Sequence, residues 1–207
     1  ALGLDINQSS GGLPPIHAAI EGLHRNISRC SNAIKAVGES DHQRTIGSAT
    51  DNLGQMLAAG ADINQRSISG GTVLHALIND IGDGDQDKRK GFITVTKMLM
   101  ERGLDINARD KKGLTALHLA CIESIGSPGA YVTTVIRGLI GLGADVNAVA
   151  HDGMTALSAP FDEIRRLQPM GVKNQGGGLL AYATSSSWGA TAERLVDALL
   201  KSGFDVS

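Results

Sequence analysis

With 207 residues, 42% of them hydrophobic, the chain has enough apolar side chains for one or two buried cores, which excludes wholesale disorder. Nineteen basic and twenty-one acidic residues leave a net charge of −2, so there is no bulk excess to hold a polyanion or an anionic membrane, although a local basic patch stays open. No apolar run reaches the length of a bilayer span, and no signal-peptide pattern opens the chain.

The first predicted element begins in GLPPIHAA (12–19), after GLDINQ (3–8). From there Ile16, Ile20, Leu23, Ile27, Cys30, Ile34 and Val37 recur at steps of three or four, the spacing of one long helix face. A joint around GESDHQ (38–43) leads to a second helix from near Thr45, with Ile46, Ala49, Leu53, Met56 and Leu57, which GADINQ (60–65) ends. The next pair opens at GTVLHAL (71–77), crosses a charged turn at GDGDQDKRKG (82–91) and closes at GLDINA (103–108). In GLTALHLA (113–120), Thr115 is placed to cap a helix with its hydroxyl, and Leu117 and Ala120 share an inward face. A short turn at SIGSPGA (124–130) precedes a helix carrying Leu139, Ile140 and Leu142, which Gly143 ends in the left-handed conformation. After GADVNA (143–148) and GMTALSA (153–159), a helical step continues through Phe161, Ile164, Leu167 and Met170 until GVKNQGGG (171–178) breaks it. Pro160 would strain a helix past its first turn, so that helix is expected to restart near Ser158. LLAYATSSSW (179–188) then precedes a closing helix, capped by Thr191, that turns Leu195, Ala198 and Leu199 inward.

One hexamer thus recurs along the chain. Its aspartates, Asp5, Asp62, Asp105, Asp145 and Asp205, lie 57, 43, 40 and 60 residues apart. The steps from Asp62 to Leu74, Asp105 to Leu117 and Asp145 to Leu157 are nonetheless all 12, and from Asp5 to Ile16 the step is 11. The unevenness therefore lies entirely in the second part of each unit. Gly-x-Thr-Ala-Leu-His-x-Ala followed by Gly-Ala-Asp-x-Asn resembles the ankyrin repeat, whose period is about 33 residues; the four units exceed it by about 24, 10, 7 and 27.

The resemblance covers essentially the whole chain. It implies an all-α fold: an ankyrin-repeat α-solenoid of stacked antiparallel helix pairs with protruding β-turn fingers, and elongated helices in the first and last units. Residues 1–207 are expected to form one ankyrin-repeat domain, in units at about 1–64, 65–107, 108–147 and 148–207, since a single pair cannot bury its apolar face alone. In such a repeat the Thr and His hydrogen-bond to each other and to neighbouring turns, which makes Thr72 with His75 and Thr115 with His118 structural. The Asp and Asn of the hexamer are expected to tie together their own turn. The chain begins at GLDIN and ends at GFDVS, in the same part of the motif, which suggests a piece of a longer protein.

Family function implies binding of a partner protein on the concave surface formed by the fingers and the exposed side of the first helices. The family's variable positions fall on Ile68, Ser69, Gly71, Asn79 and Asp80 in the second unit, and on Lys111, Lys112, Leu114, Ile122 and Glu123 in the third. In the fourth they fall on His151, Asp152, Met154, Asp162 and Glu163, and in the first only on Leu13 and Glu21, because Pro14 stands where Thr is usual. Arg66, Arg109, Lys111 and Lys112 would then form a basic ridge beside an acidic floor of Asp80, Glu123, Asp162 and Glu163. Charge of this kind sets partner choice and encounter rate, whereas Ile68, Leu114 and Met154 are the expected anchors.

Other chemistry finds little support. Cys30 and Cys121 give neither a disulfide framework nor a Cys-x-x-Cys knuckle, and point to a reducing intracellular compartment. GDGDQD lacks the glycine and the closing glutamate of a calcium loop, GGG (176–178) lacks the lysine of a phosphate loop, and Asn26-Ile27-Ser28 lies inside a helical pattern. Tyr182 and Trp188 are expected to pack locally. The six histidines are scattered, and no nucleophile elbow or His-Glu-x-x-His is present. The expectation is a monomeric, non-catalytic scaffold, adaptor or effector module, cytoplasmic or nuclear or delivered into a host cell, with no cofactor, metal or small-molecule substrate. The alternatives are the targeting domain of a multidomain enzyme and, resting only on the basic tips, a nucleic-acid-binding module.

Overall fold

The computed structural model describes residues 7, 14–22, 51, 53–81, 86–125, 132–167 and 186–203. Helix α1 covers 15–22 and α2 covers 53–58. They are followed by α3 (Val73–Ile81), α4 (Gln86–Met100), α5 (Ala116–Glu123), a π-helical turn (Val132–Ile136) running into α6 (Arg137–Gly141), α7 (Ala159–Leu167) and α8 (Ser186–Leu200). Among the described residues the one extended pairing is an antiparallel bridge between Val149 and Thr155 at the base of a finger.

The helices form two layers. First helices α3, α5 and α7 pack side by side, and the second helices follow the same order, with α4 and α8 on either side of the π-helical turn. Apolar residues three or four apart line the interior: Leu74, Leu77, Ile78 and Ile81 on α3, Phe92, Val95 and Leu99 on α4, Leu195 and Leu199 on α8. They join one cluster that runs from Ile16 to Leu199. Full burial of each such side chain is worth about 1.5–3 kcal/mol, so a thin core of this length can hold an otherwise open stack.

Helix ends follow from local chemistry. Thr115 is extended and α5 starts behind it, as expected of a cap. Leu117 and Ala120 are buried, and Gly143 sits at φ +96 one residue past the α6 C-cap, where its N–H bonds the Ile140 carbonyl. Pro160 is the second residue of α7, inside the first turn where its missing N–H costs nothing, so the helix does restart behind Ser158.

Three local expectations are corrected. Residues 86–91 are not part of a turn but the first turns of α4, because Gln, Lys and Arg are good helix formers and the run contains no proline. Thr191 does not cap the closing helix: α8 begins at Ser186, and Thr191 is a buried residue within it. The third concerns the asparagines and is taken up below. At 15 residues α8 is long as expected, but α4 in the second unit is equally long. The extension of the first unit (23–50), Cys30, the 82–85 and 126–131 connections and the 168–185 segment with Met170 and Tyr182 lie outside the described residues.

Candidate functional site

The hexamer builds the ladder on which the site stands. Asp62, Asp105 and Asp145 each accept the N–H two residues on, at 2.9 Å, and so close their own turn as expected. The asparagines do not. Asn107 accepts the Asp145 N–H at 2.8 Å and donates to the Gly143 carbonyl at 3.3 Å, both in the next unit. Asn7 and Asn64 do the same to Asp62 with Gly60, and to Asp105 with Gly103. Asn147 donates to the Gly203 carbonyl at 3.1 Å. An amide can donate and accept at once, which a carboxylate cannot, so the position calls for Asn.

A second ladder runs through the histidines. The Thr115 N–H must donate, so the His118 Nδ1 it meets at 3.2 Å is the unprotonated nitrogen. Nε2 then carries the proton and donates to the Met154 carbonyl of the next finger at 3.2 Å. His75 repeats this with Thr72 and the Leu114 carbonyl, at 3.2 and 3.0 Å. His17 reaches the Gln65 carbonyl at 2.8 Å, but Pro14 offers neither N–H nor hydroxyl, and His17 Nδ1 is buried without a hydrogen-bond partner among the described residues. Burial lowers the pKa of all three rings below the ordinary histidine value, against the partial opposition of the carbonyl each one bonds. Ser158 takes the histidine position of the fourth unit and accepts the Thr155 N–H at 3.0 Å.

The fingers are joined directly. The Lys111 N–H points to the Ser69 carbonyl at 3.4 Å, and the His151 N–H donates to the Lys112 carbonyl at 3.0 Å. Arg66 bonds the Gly70 carbonyl of its own finger and the Arg109 carbonyl of the next; Arg109 does likewise with Gly113 and Val149. Both guanidiniums are thus engaged in holding finger to finger, and the basic ridge that remains at the tips is Lys111 and Lys112. Gly113, at φ +81, has no room for a side chain: a Cβ there would stand 2.7 Å from the His151 nitrogen.

The concave side opens between the third and fourth units. A cavity of about 440 Å³ is lined by Asp152, Gly153, Met154, Asp162, Glu163, Arg165 and Arg166. It shares Asp152, Met154, Glu163 and Arg166 with a second, of about 190 Å³, that adds Lys112, Leu114, Leu119 and Ile122. Seven sequence-predicted residues therefore meet in one groove: Lys112, Leu114, Ile122, Asp152, Met154, Asp162 and Glu163. Leu114 is only 7% exposed, so it forms the groove wall and does not project as an anchor. The acidic floor is also altered, since Asp162 pairs with Arg165 at 3.0 Å and Glu163 with Arg166 at 3.5 Å.

The remaining predicted residues stand away from the groove. Ile68, at 70% exposure, projects from the second finger beside Ser69, whose hydroxyl meets that of Ser67 at 2.8 Å. Asn79, Glu123, Lys111 and His151 are exposed, Gly71 is buried, and the Asp80 side chain lies outside the described set. Sequence reasoning missed Leu119, Arg165 and Arg166. Leu119 follows the histidine where the second and fourth units have Ala76 and Ala159, a contrast that was available as a signal. The arginines stand three residues after each acid, the spacing of a same-face helix pair.

Among the described residues no group of three or more His, Cys, Asp or Glu is placed to hold a metal ion, and no helix is long and apolar enough to cross a membrane. Cys121 is buried on α5, and burial pushes its thiol pKa up.

Residues 112–151 match the family model of the ankyrin repeat, and on either side of that match the described residues continue the same stacked, all-helical packing. Protein phosphatase 1 regulatory subunit 27 of Homo sapiens is 41% identical over 63 residues, and that of Mus musculus 43%. The matched stretch is 30% of this chain and 36% of either relative, so the chain spans about a third of the length of the curated relatives it matches.

Proposed function

We propose that this ankyrin-repeat chain is a non-catalytic protein-interaction module that docks a partner protein in the groove between its third and fourth units. The observation that supports the reading is convergence: seven residues chosen from the family's variable positions line one concavity, while the ladder residues are consumed in holding the stack. Apolar side chains in a recessed wall with charged groups at its edge are the usual composition of an interface core and rim. The reading takes residues 1–207 as one domain and places it inside the cell, as the recognition part of a scaffold, adaptor or effector. The name of the two relatives makes protein phosphatase 1 the first purified partner to try.

The test places a photo-crosslinking residue at Met154 and, separately, at Lys97, an exposed position on α4 in the other helix layer. A discrete protein captured from Met154, absent from Lys97 and lost when Ile122→Asp is added, is the expected result. Capture from Lys97 alone would overturn the assignment, as would recovery of nucleic acid only.

A further inference from the structure

The charges of the groove lie at different depths, and depth decides what it can hold. Its apolar wall is Leu114, Leu119, Ile122 and Met154. Beside this wall three carboxylates, Asp152, Asp162 and Glu163, line the larger cavity. The two guanidiniums that share it stand outside the two α7 acids, Arg165 being 82% exposed against 34% for Asp162 and Arg166 63% against 20% for Glu163, while Asp152 is itself exposed on its finger. Ion pairs this exposed contribute roughly 0–1 kcal/mol, so these arginines yield readily to a cation brought by a partner. Asp152 has no ion pair with any described residue; its Oδ1 accepts the Met154 N–H at 3.1 Å. The inner part of the cavity is therefore short of positive charge. Lys112 lines only the smaller cavity, on its finger side, and repels a second cation there.

We infer that the groove takes an extended segment of a partner protein in which a large apolar side chain is adjoined by a basic one. The apolar side chain lies on Leu114, Leu119, Ile122 and Met154, and the cation sits on the α7 side between Asp152 and Glu163. Glu163 lines both cavities, which couples the two halves of the recognition. The inference rests on the docking reading above and adds the chemistry of the partner to it.

Selection of random linear peptides displayed on phage against the immobilised chain tests it. Enriched peptides are expected to carry Leu, Ile, Met or Phe close to Arg or Lys. As synthetic peptides they should bind Asp152→Asn, Glu163→Gln about tenfold more weakly, and should weaken as salt rises from about 0.05 to 0.5 M. Arg165→Glu, Arg166→Glu removes the competing cations and should tighten the same peptides, a gain that no folding defect can mimic. Enrichment of acidic or uncharged peptides, or equal binding by the neutralised variant, would overturn the inference. If those peptides were still lost on Met154→Asp, the docking reading would survive. Peptides indifferent to Met154→Asp would sink both, and failure to enrich any peptide would sink the linear-segment proposal while the crosslinking test decides the docking one.

Discussion

Substitution of His118 separates what its ring does inside one unit from what it does between units. The ring is fully buried, Nδ1 takes the Thr115 N–H, and Nε2 donates to the Met154 carbonyl at the edge of the groove. The fourth unit has already made a related change, because Ser158 accepts the equivalent N–H from Thr155 at 3.0 Å. His118→Ser is thus expected to keep the Thr115 N–H satisfied while losing the cross-unit bond, a net loss of about 1 kcal/mol, in addition to the lost packing of the ring. His118→Ala loses the same bond and packing and also strands the Thr115 N–H, on a residue only 1% exposed. A buried donor without an acceptor costs about 1–3 kcal/mol. Serine and alanine leave cavities of similar size, so that term nearly cancels between the two variants. Urea unfolding should therefore rank wild type above His118→Ser and His118→Ala lowest, with about 1–3 kcal/mol between the variants at unchanged m-value. Equal stability of the two would refute the assignment of the Thr115 N–H to the side chain at 118.

Gly113→Ala should destabilise more than Gly153→Ala. Both glycines have positive φ, worth about 1–2 kcal/mol of strain to an L-residue, but only at Gly113 would the new Cβ strike the neighbouring finger. Equal urea midpoints would show that the finger contact is not tight. Asn107→Ala removes two solvent-accessible cross-unit bonds and should cost about 1–2 kcal/mol, with faster hydrogen exchange at the Asp145 amide; unchanged exchange there would contradict the ladder. His17, His75 and His118 resist protonation when folded but bind protons near pH 6.5 when unfolded. Their contribution is therefore fully present above about pH 6.5 and is lost as pH falls below it, at a slope of up to about 1.4 kcal/mol per pH unit for each ring. Unfolding free energies measured from pH 7.5 to 5 should fall, and the fall should be shallower in His75→Gln; an identical slope in that variant would remove His75 from the account.

Much of the fold was legible because the recurring features are local. A helix start at Thr115, a glycine-ended helix at Gly143 and burial of Leu117, Ala120, Leu195 and Leu199 depend on spacing and backbone chemistry that one unit displays by itself. The misread features each depend on a neighbour or on a weak propensity. Asn107 has the same polar chemistry whether it closes its own turn or the next, and only the stacked geometry directs it outward. Arg109 reads as a free surface charge until the Gly113 and Val149 carbonyls are in place around it. Asp85 and Ser185, just before the starts of α4 and α8, are residue types that cap helices, but each lies in a run of other cap and turn formers (GDGDQD, TSSS). Thr191 further on is of the same type, so the sequence did not single out either start.

The same division explains where the groove lies. Arg66 and Arg109 bridge each finger to the next, whereas the fourth finger has Val149 at that position, and Ser158 replaces the histidine that would reach out. Leu77 and Ala120, buried within α3 and α5, correspond to Pro160, which shares the first turn of α7 with Phe161. The fourth unit thus retains the Asn147 link and the buried face of α8, yet departs from the pattern along the finger and first helix that line the concavity. On the docking reading, residues outside the ladder are the ones that can serve a partner, while those inside it are held by the stack. Groove substitutions such as Met154→Asp should therefore alter binding without unstacking the units, and ladder substitutions such as Asn107→Ala should do the reverse.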